Sequence, residues 1–158
     1  MKKACIEIDG WRANIRFSSA HIIPRYEKCG RLHGHTYAIH ARITGELDEN
    51  GIVIDFSLVK NTLREITNEL DHRVLVPGMD RGVKLLDSTV EIESNGKRYI
   101  IPREDCVVLP ITSTSAENIA NYILDKLVEK LDNNGLYEVE VKVDEGLGQG
   151  AKIKRSLR

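Results

Sequence analysis

Alternating apolar and polar residues predict strands in the first third of the chain. Apolar side chains occupy every second position from Trp11 to Phe17, which is the repeat of a strand with one buried face. A second stretch, Thr36 to Glu46, repeats this pattern. Ile6 and Ile8 carry the opposite parity, so we expect the buried face to change at Asp9-Gly10, through either a bulge or a tight hairpin.

Two helices are predicted where apolar residues recur every three or four positions. The first begins after Asp55, a favourable N-cap residue, and ends just before Asp71. The second follows the capping-box pattern Thr114 to Glu117 and ends at 133–135, an Asn-Asn-Gly stop. Each helix therefore presents one apolar face for packing.

Short strands are predicted in the remaining segments, at 52–54 before the first helix and at 137–145 and 151–154 after the second. Asn95-Gly96 lies at the centre of two strand-like runs over 89–101 and predicts a hairpin with a two-residue turn. The predicted cross-strand pairs are Ile92 with Tyr99, Val90 with Ile101, and Glu93 with Arg98.

The order of these elements predicts an α+β fold with an antiparallel sheet, two helices on one face of that sheet, and an added hairpin. We expect residues 1–158 to form a single domain, because a chain of this length buries enough surface for one core. The segment from about residue 77 to residue 110, which contains the hairpin, is predicted to be an insertion.

Composition narrows the function classes. The chain is 41% hydrophobic and 30% charged, which is typical of globular proteins, and its net charge of −1 argues against broad nucleic-acid binding. There is no apolar run long enough for a membrane span, so we expect no membrane partner. Three cysteines at unrelated spacings do not suggest a disulfide framework, and we expect a cytoplasmic protein.

The densest chemistry lies in the segment from Cys29 to His35. His33 and His35 are two residues apart on a predicted strand and project to the same side, and His21 ends the preceding strand. Three imidazoles without a fourth protein ligand are typical of a catalytic zinc site with one open position. The alternative is that the two strand histidines are ordinary surface or core polar residues.

Cys29 lies in a basic, glycine-containing stretch, where nearby positive charge favours a reactive thiolate and a role as catalytic base. It could instead be a fourth zinc ligand. Asp71 and His72 could form an acid–base pair, or the histidine could be an ordinary cation at a helix end. Glu145 continues an apolar strand face, which would place a carboxylate there, unless the strand ends one residue earlier. Glu117 is explained first by the capping box and is kept as a candidate substrate contact.

These residues lie in motifs that occur together in one known family: FSSAHII, CGRLHGHTYAIHARITGELDENGIVIDFSLVK, LDH, TSAENIA and VKVDEG. The chain resembles the pyruvoyl-tetrahydropterin synthase family over most of its length. The C-x-x-x-H-G-H spacing resembles the 6-carboxytetrahydropterin synthase branch. By this resemblance His21, His33 and His35 correspond to the zinc ligands and Cys29 to the proton-abstracting thiol. Asp71 and His72 then correspond to the relay pair, and Glu145 to the pterin anchor.

The resemblance implies the tunnelling fold, in which trimers close a barrel and stack into hexamers with active sites between subunits. It implies 7,8-dihydroneopterin triphosphate as substrate and Zn²⁺ as cofactor, and we predict Arg25, Lys28 and Arg31 as triphosphate contacts. The predicted products are 6-carboxytetrahydropterin, triphosphate and acetaldehyde, as in deazapurine (queuosine or archaeosine) biosynthesis. The alternatives are 6-pyruvoyltetrahydropterin synthesis, and a zinc-stabilised pterin-binding assembly protein without turnover.

Overall fold

The computed structural model describes residues 2–158. Within them the α+β organisation expected from the sequence is confirmed. The elements run in the order β1 (Lys3–Ile8), β2 (Arg16–His21), β3 (His33–Glu46), α1 (Phe56–Leu70), β4 (Arg73–Pro77), β5 (Val83–Leu85), β6 (Thr89–Ser94), β7 (Lys97–Pro102), β8 (Cys106–Leu109), α2 (Ala116–Lys130), β9 (Leu136–Glu145) and β10 (Gly150–Ser156).

Seven strands form the main sheet, in the order β10-β9-β3-β2-β4-β8, with β1 paired to β3. The long strand β3 pairs along one edge with β9 and along the other with both β2 and β1. Sequence analysis did not predict β4 and β8, and both add to the sheet in parallel orientation. The sheet is therefore mixed, with an antiparallel majority.

The strand predicted over 11–17 is wrong in its first half. Residues 10–14 form turns, with the Ala13 N–H donating to the Asp9 carbonyl and Asn14 at φ 55°, and the strand begins only at Arg16. Because β1 and β2 pair with successive parts of one edge of β3, the turns act as a large bulge between them. Of the two alternatives expected at residues 9–10, the tight hairpin is therefore absent from the described chain.

Residues 52–54 also differ from the prediction, since they form bends leading into α1 rather than a strand. Both edges of β3 are already occupied nearby, by β1 and by β9, so this short segment finds no free edge there. Its backbone is held instead by a turn in which the Asp48 N–H donates to the Ile52 carbonyl.

The main core lies between the sheet and both helices. Apolar residues of α1 and α2 pack in one buried cluster with alternate residues of β2, β3 and β9. Asp55 caps α1 as predicted, its side chain accepting from the Ser57 N–H. The predicted capping box at α2 is wrong by one residue, because Ser115 is the N-cap and accepts from the Asn118 N–H. Thr114 therefore lies outside the helix and does not cap it.

Residues 83–102 form a second sheet, β5-β6-β7, which we call the accessory sheet. The predicted hairpin is confirmed in its register, and its turn has positive φ at both Asn95 (52°) and Gly96 (75°). A separate small core joins this sheet to the main one. Its buried members are Ile22, Val76, Val90, Ile92 and Cys106.

Candidate active site

Three histidines meet where β2 ends and β3 begins. His21 is paired across the two strands with His33, and His35 follows on the same face of β3. That face continues into the fully buried Tyr37, whose ring stacks on Phe17 at 4.7 Å between centroids. The stacked pair forms the apolar floor beneath the histidines and thereby limits how far the rings can move.

The imidazole nitrogens are close enough to bind one ion together. One ring nitrogen from each of His21, His33 and His35 lies within 4.8 Å of the other two. The Nε2 atoms of His21 and His33 are 3.1 Å apart. Two nitrogens bound to one tetrahedral zinc at 2.0–2.1 Å would be separated by about 3.3 Å, so the observed spacing is already close to that arrangement.

Hydrogen bonds on the far side of two rings determine which nitrogen is free to bind. His21 Nδ1 lies 2.9 Å from the Thr114 carbonyl oxygen, and His33 Nδ1 lies 2.7 Å from that of Arg31. A carbonyl can only accept, so both Nδ1 atoms carry the proton and both Nε2 atoms of the neutral rings present lone pairs. Those lone pairs face each other and repel unless a cation lies between them.

A proton on His21 is a poor substitute for that cation. Burial, reinforced by the nearby charge of His33, lowers the pKa of His21 to about 4. At neutral pH His21 is therefore an uncharged imidazole, which is the form that binds metals. The donor set thus fits a divalent ion that prefers nitrogen ligands.

Glu145 lies at the edge of this cluster. β9 runs through Glu145, which is paired with Tyr37 of β3, so the interpretation in which the strand ends at Asp144 is wrong. A carboxylate oxygen of Glu145 lies 3.8 Å from His35 Nε2, and the side chain is only 17% exposed. Such a carboxylate can accept hydrogen bonds from a ligand placed beside the histidines.

Asp71 and His72 form a hydrogen-bonded pair at the C-terminus of α1. Asp71 Oδ1 accepts from the Ser18 N–H at 2.8 Å, and its Oδ2 lies 2.9 Å from His72 Nδ1. The Ser18 N–H, outweighing the opposing effect of burial and assisted by His72, lowers the pKa of Asp71. His72 has φ 56° and is held there by its own N–H, which donates to the Ser18 carbonyl at 2.7 Å.

A cleft of about 620 Å³ is lined by both His35 and His72. Strands β2, β3 and β4 form most of the remaining wall, and Asp105 completes it. The His72 side chain is 82% exposed, so its imidazole is accessible from solvent. His35 of the histidine cluster and His72 of the Asp71–His72 pair therefore share one open cleft.

Cys29 lies in the loop between β2 and β3 and is exposed. The Ile23 N–H donates to the Cys29 carbonyl at 2.8 Å, which closes the loop upon itself. Among residues 2–158, the group of closely spaced ligand atoms comprises the three histidines without this thiol. This geometry favours a site of three histidines in which Cys29 is not a fourth ligand.

The predicted triphosphate contacts occupy different surroundings. Arg25 is engaged by Asp80 at 2.6 Å, whereas Lys28 and Arg31 form no ion pair within the described residues. Arg25 and Arg31 line a cavity of about 470 Å³ together with Lys97, which the sequence analysis did not single out. Glu117 is exposed in the first turn of α2.

The sequence analysis also missed Thr114, which is fully buried and orients His21. Its threonine hydroxyl lies 3.2 Å from the same ring nitrogen. The only sequence cue was the mismatch between two possible N-caps, Thr114 and Ser115. Similarly, the role of the Arg31 carbonyl could not be inferred from the side chain.

Known proteins that resemble this chain in sequence, and those that resemble it in structure, include tetrahydropterin synthases. A profile of the family described as 6-pyruvoyl tetrahydropterin synthase matches residues 11–156. A protein of Methanocaldococcus jannaschii, provisionally named 6-carboxy-5,6,7,8-tetrahydropterin synthase, is 38% identical, with 96% of this chain and 97% of that protein covered. The 6-carboxy-5,6,7,8-tetrahydropterin synthase of Aquifex aeolicus is 30% identical, with 84% and 78% covered.

The fold is similar to that of a solved Plasmodium vivax structure, a catalytic-residue mutant of 6-pyruvoyltetrahydropterin synthase. The TM-score is 0.91 at 29% identity, with 99% of this chain and 100% of that chain covered. Among residues 2–158, no helix combines the length and apolar character that a membrane span requires.

Proposed function

Because the chain belongs to the 6-pyruvoyl tetrahydropterin synthase family, a family of tetrahydropterin-forming enzymes, we propose that it is a zinc-dependent 6-carboxy-5,6,7,8-tetrahydropterin synthase. Its proposed substrate is 7,8-dihydroneopterin triphosphate. The observation that carries the proposal is the histidine cluster, in which the Nε2 lone pairs of His21 and His33 face each other across 3.1 Å and His35 completes the set. This donor set suits zinc and leaves one position open to substrate.

His21, His33 and His35 would hold the zinc, and the bound ion would polarise the substrate side-chain oxygens as a Lewis acid. Cys29, as thiolate, would take a proton from a side-chain carbon. His72 would donate or accept a second proton at its exposed Nε2, because its Nδ1–H is bound to Asp71. Asp71 would hold the ring in the tautomer that leaves Nε2 available.

Glu145 would anchor the pterin ring. Its carboxylate can accept two N–H bonds from an aminopyrimidine edge, a bidentate arrangement that determines the orientation of the ring. The 3.8 Å distance from Glu145 to His35 supports this role, because it would bring the ring-bound side chain to the histidines.

Four further residues are proposed as substrate contacts. Arg31 and Lys28 have side chains without an ion-pair partner in the described chain and can meet a triphosphate. Arg25 would contribute only the charge that remains after its pairing with Asp80. Glu117 would contact the substrate from the first turn of α2.

Two observations bear on the product. Relatives with the higher identities carry the 6-carboxy name, and the C-x-x-x-H-G-H spacing agrees with that branch. The structural likeness to the Plasmodium vivax enzyme supports 6-pyruvoyltetrahydropterin as the second candidate product. We propose the carboxy branch, in a deazapurine pathway such as queuosine or archaeosine biosynthesis.

Membership of this family also underlies our proposals for domain organisation, cellular location and assembly. We propose a single domain with an addition at about residues 77–110, located in the cytoplasm and assembled as a hexamer of two stacked trimers. A sedimentation experiment on the purified protein measures the assembly directly.

The function is tested by incubating zinc-loaded protein with 7,8-dihydroneopterin triphosphate and identifying what is released. We expect triphosphate and acetaldehyde in equal amounts, the second from cleavage between the first two side-chain carbons. Triphosphate without acetaldehyde would move the function to the pyruvoyl branch. Binding of the pterin without release of either product would refute the proposed enzymatic activity.

The role of Cys29 is tested separately by Cys29→Ala. We expect zinc content and fold to be unchanged and turnover to fall by about 10²- to 10⁴-fold, the usual effect of removing a general base. Loss of zinc in this variant would identify Cys29 as a ligand instead.

A further inference from the structure

The accessory sheet touches the loop that carries Cys29. This loop, residues 22–32, connects two strands that bear the histidines, and we call it the Cys29 loop. At its base the Ile23 N–H donates to the Cys29 carbonyl. Within it the Tyr26 N–H donates to the Ile23 carbonyl at 3.3 Å, and the Arg31 N–H donates to the Lys28 carbonyl at 3.2 Å. Three internal bonds of this kind leave much of the loop backbone in need of other partners.

The tip of the β6–β7 hairpin supplies those partners. Ser94 Oγ donates to the Gly30 carbonyl at 2.8 Å and lies 3.4 Å from the Arg25 backbone N–H. Asn95 Nδ2 donates to the Tyr26 carbonyl at 2.7 Å. Ser94 is only 1% exposed, so its hydroxyl forms these bonds away from competing water.

The Cys29 loop folds back on itself so closely, beneath the hairpin, that residue 30 must be glycine. A Cβ added to Gly30 would lie 2.0 Å from the Tyr26 carbonyl oxygen and 2.6 Å from Asn95 Nδ2. Contacts this short do not occur between real Cβ atoms and their neighbours, so any larger residue would distort the loop and displace the Asn95 side chain. Close packing thus explains why the first glycine of the CGRLHGH motif, Gly30, is present.

A partly buried ion pair and apolar contacts also join the Cys29 loop to the segment that carries the accessory sheet. Arg25 Nη2 lies 2.6 Å from Asp80 Oδ2, and the Asp80 side chain is only 4% exposed. Ile22, at the start of the loop, is fully buried in the small core with Val90 and Ile92 of β6. The contact is therefore continuous from the loop base to the loop tip.

We propose that Ser94 and Asn95 of the added hairpin are positioning residues for the reaction, because they hold the Cys29 loop in the conformation that presents the thiol. This inference rests on the proposed function of Cys29 as base. The same contacts reach the metal ligands, because Gly30, bound by Ser94, precedes Arg31, whose carbonyl orients His33. Ser94 and Asn95 thereby act on the active site through the Cys29 loop.

Two substitutions that change no charge test the proposal. Both are made in zinc-loaded protein that carries Cys5→Ser, so that Cys29 is the exposed thiol and Cys106 is buried. Ser94→Ala removes a buried hydroxyl, and Asn95→Gly removes the amide while keeping a residue that tolerates positive φ in the turn. We expect amide hydrogen exchange over residues 24–31 to accelerate about tenfold, as loss of a hydrogen bond predicts, with the rest of the chain unchanged.

Two further readouts separate positioning from a general loss of stability. The pH profile of Cys29 alkylation by iodoacetamide should shift, and kcat should fall about tenfold while KM changes by less than about threefold, since substrate contacts are retained. Ser88→Ala is the matched control. It makes the same change elsewhere in the added segment, where its hydroxyl has no hydrogen-bond partner within residues 2–158, and should behave as the parent.

Unchanged loop exchange and unchanged Cys29 alkylation in folded Ser94→Ala or Asn95→Gly would overturn the proposal. Asn95→Gly alters an exposed turn position, so it provides this test even if Ser94→Ala does not fold. Absence of triphosphate release from the parent protein would refute the proposed function instead. Exchange and alkylation would still decide whether the loop depends on the hairpin.

Discussion

Replacing Asp71 with Asn tests the proposed proton relay with almost no change in shape. The carboxylate has two separate partners, since Oδ1 accepts from the Ser18 N–H at 2.8 Å and Oδ2 lies 2.9 Å from His72 Nδ1. In Asp71→Asn, the amide oxygen can still accept from Ser18. The amide nitrogen, however, then faces His72 Nδ1 and can only donate to it.

The ring must adapt to this change. To accept from the amide, neutral His72 has to carry its proton on Nε2, which removes the lone pair that would take a proton from substrate. Loss of a general acid–base group usually reduces turnover by about 10²- to 10⁴-fold, and we expect kcat to fall within that range. Because the Ser18 bond persists as a weaker neutral one, the free energy of unfolding should decrease by only about 1 kcal/mol.

Triphosphate release at saturating substrate measures the first effect, and urea unfolding measures the second. Asp87→Asn is the matched control, because it makes the same substitution at an exposed residue with no ion pair in the described chain. If Asp71→Asn retains turnover within about twofold of the parent enzyme, the tautomer argument is refuted. If it loses several kcal/mol of stability, its effect on turnover cannot be assigned to His72.

Three further predictions follow from the site. His33→Ala should abolish retention of about one zinc per chain, measured by elemental analysis after gel filtration, whereas His72→Ala should retain it; full zinc in the first variant would contradict the ligand set. Glu145→Gln should weaken pterin binding on the order of tenfold in a fluorescence titration, because an amide N–H would face the ring N–H groups, and unchanged affinity would contradict the anchor. Burial would raise the pKa of Asp80, but hydrogen bonds, chiefly from Arg25, outweigh this effect and lower the pKa. The ionised Asp80 therefore stabilises the folded protein at neutral pH, and this stabilisation is lost as the pH falls through the lowered pKa. In metal-free protein, the stability difference between the parent and Asp80→Asn should shrink on acidification, and a constant difference would refute this assignment.

Local patterns in the chain were sufficient for the elements that bury one face. The spacing of apolar residues located both helices, the long strand β3 and the hairpin with its register, because these depend on neighbouring residues and on one turn. The same parity placed His33 and His35 on one face, and the position of His21 at the end of the preceding strand brought it to them. Much of the candidate metal centre was therefore readable from spacing alone.

Features that depend on distant segments were not readable. β4 and β8 are short apolar strands, and their parallel pairing depends on which edge of the sheet the rest of the chain leaves free. The strand predicted from Trp11 failed because β1 already occupies the adjoining edge of β3, so residues 10–14 form turns instead. Periodicity records which residues are buried, and it does not record which strand lies beside them.

The partners that orient the site come from equally distant parts of the chain. Thr114 is 93 residues from His21, and Ser94 is 64 residues from Gly30, so no local spacing relates them. Two of these contacts are made by backbone carbonyls, which every residue possesses and which therefore carry no mark in the sequence. The residue types predicted the chemistry of the candidate site. The packing of the sheet, the helix and the hairpin determined which ring nitrogens are free, which carbonyls orient the rings, and how the Cys29 loop is held.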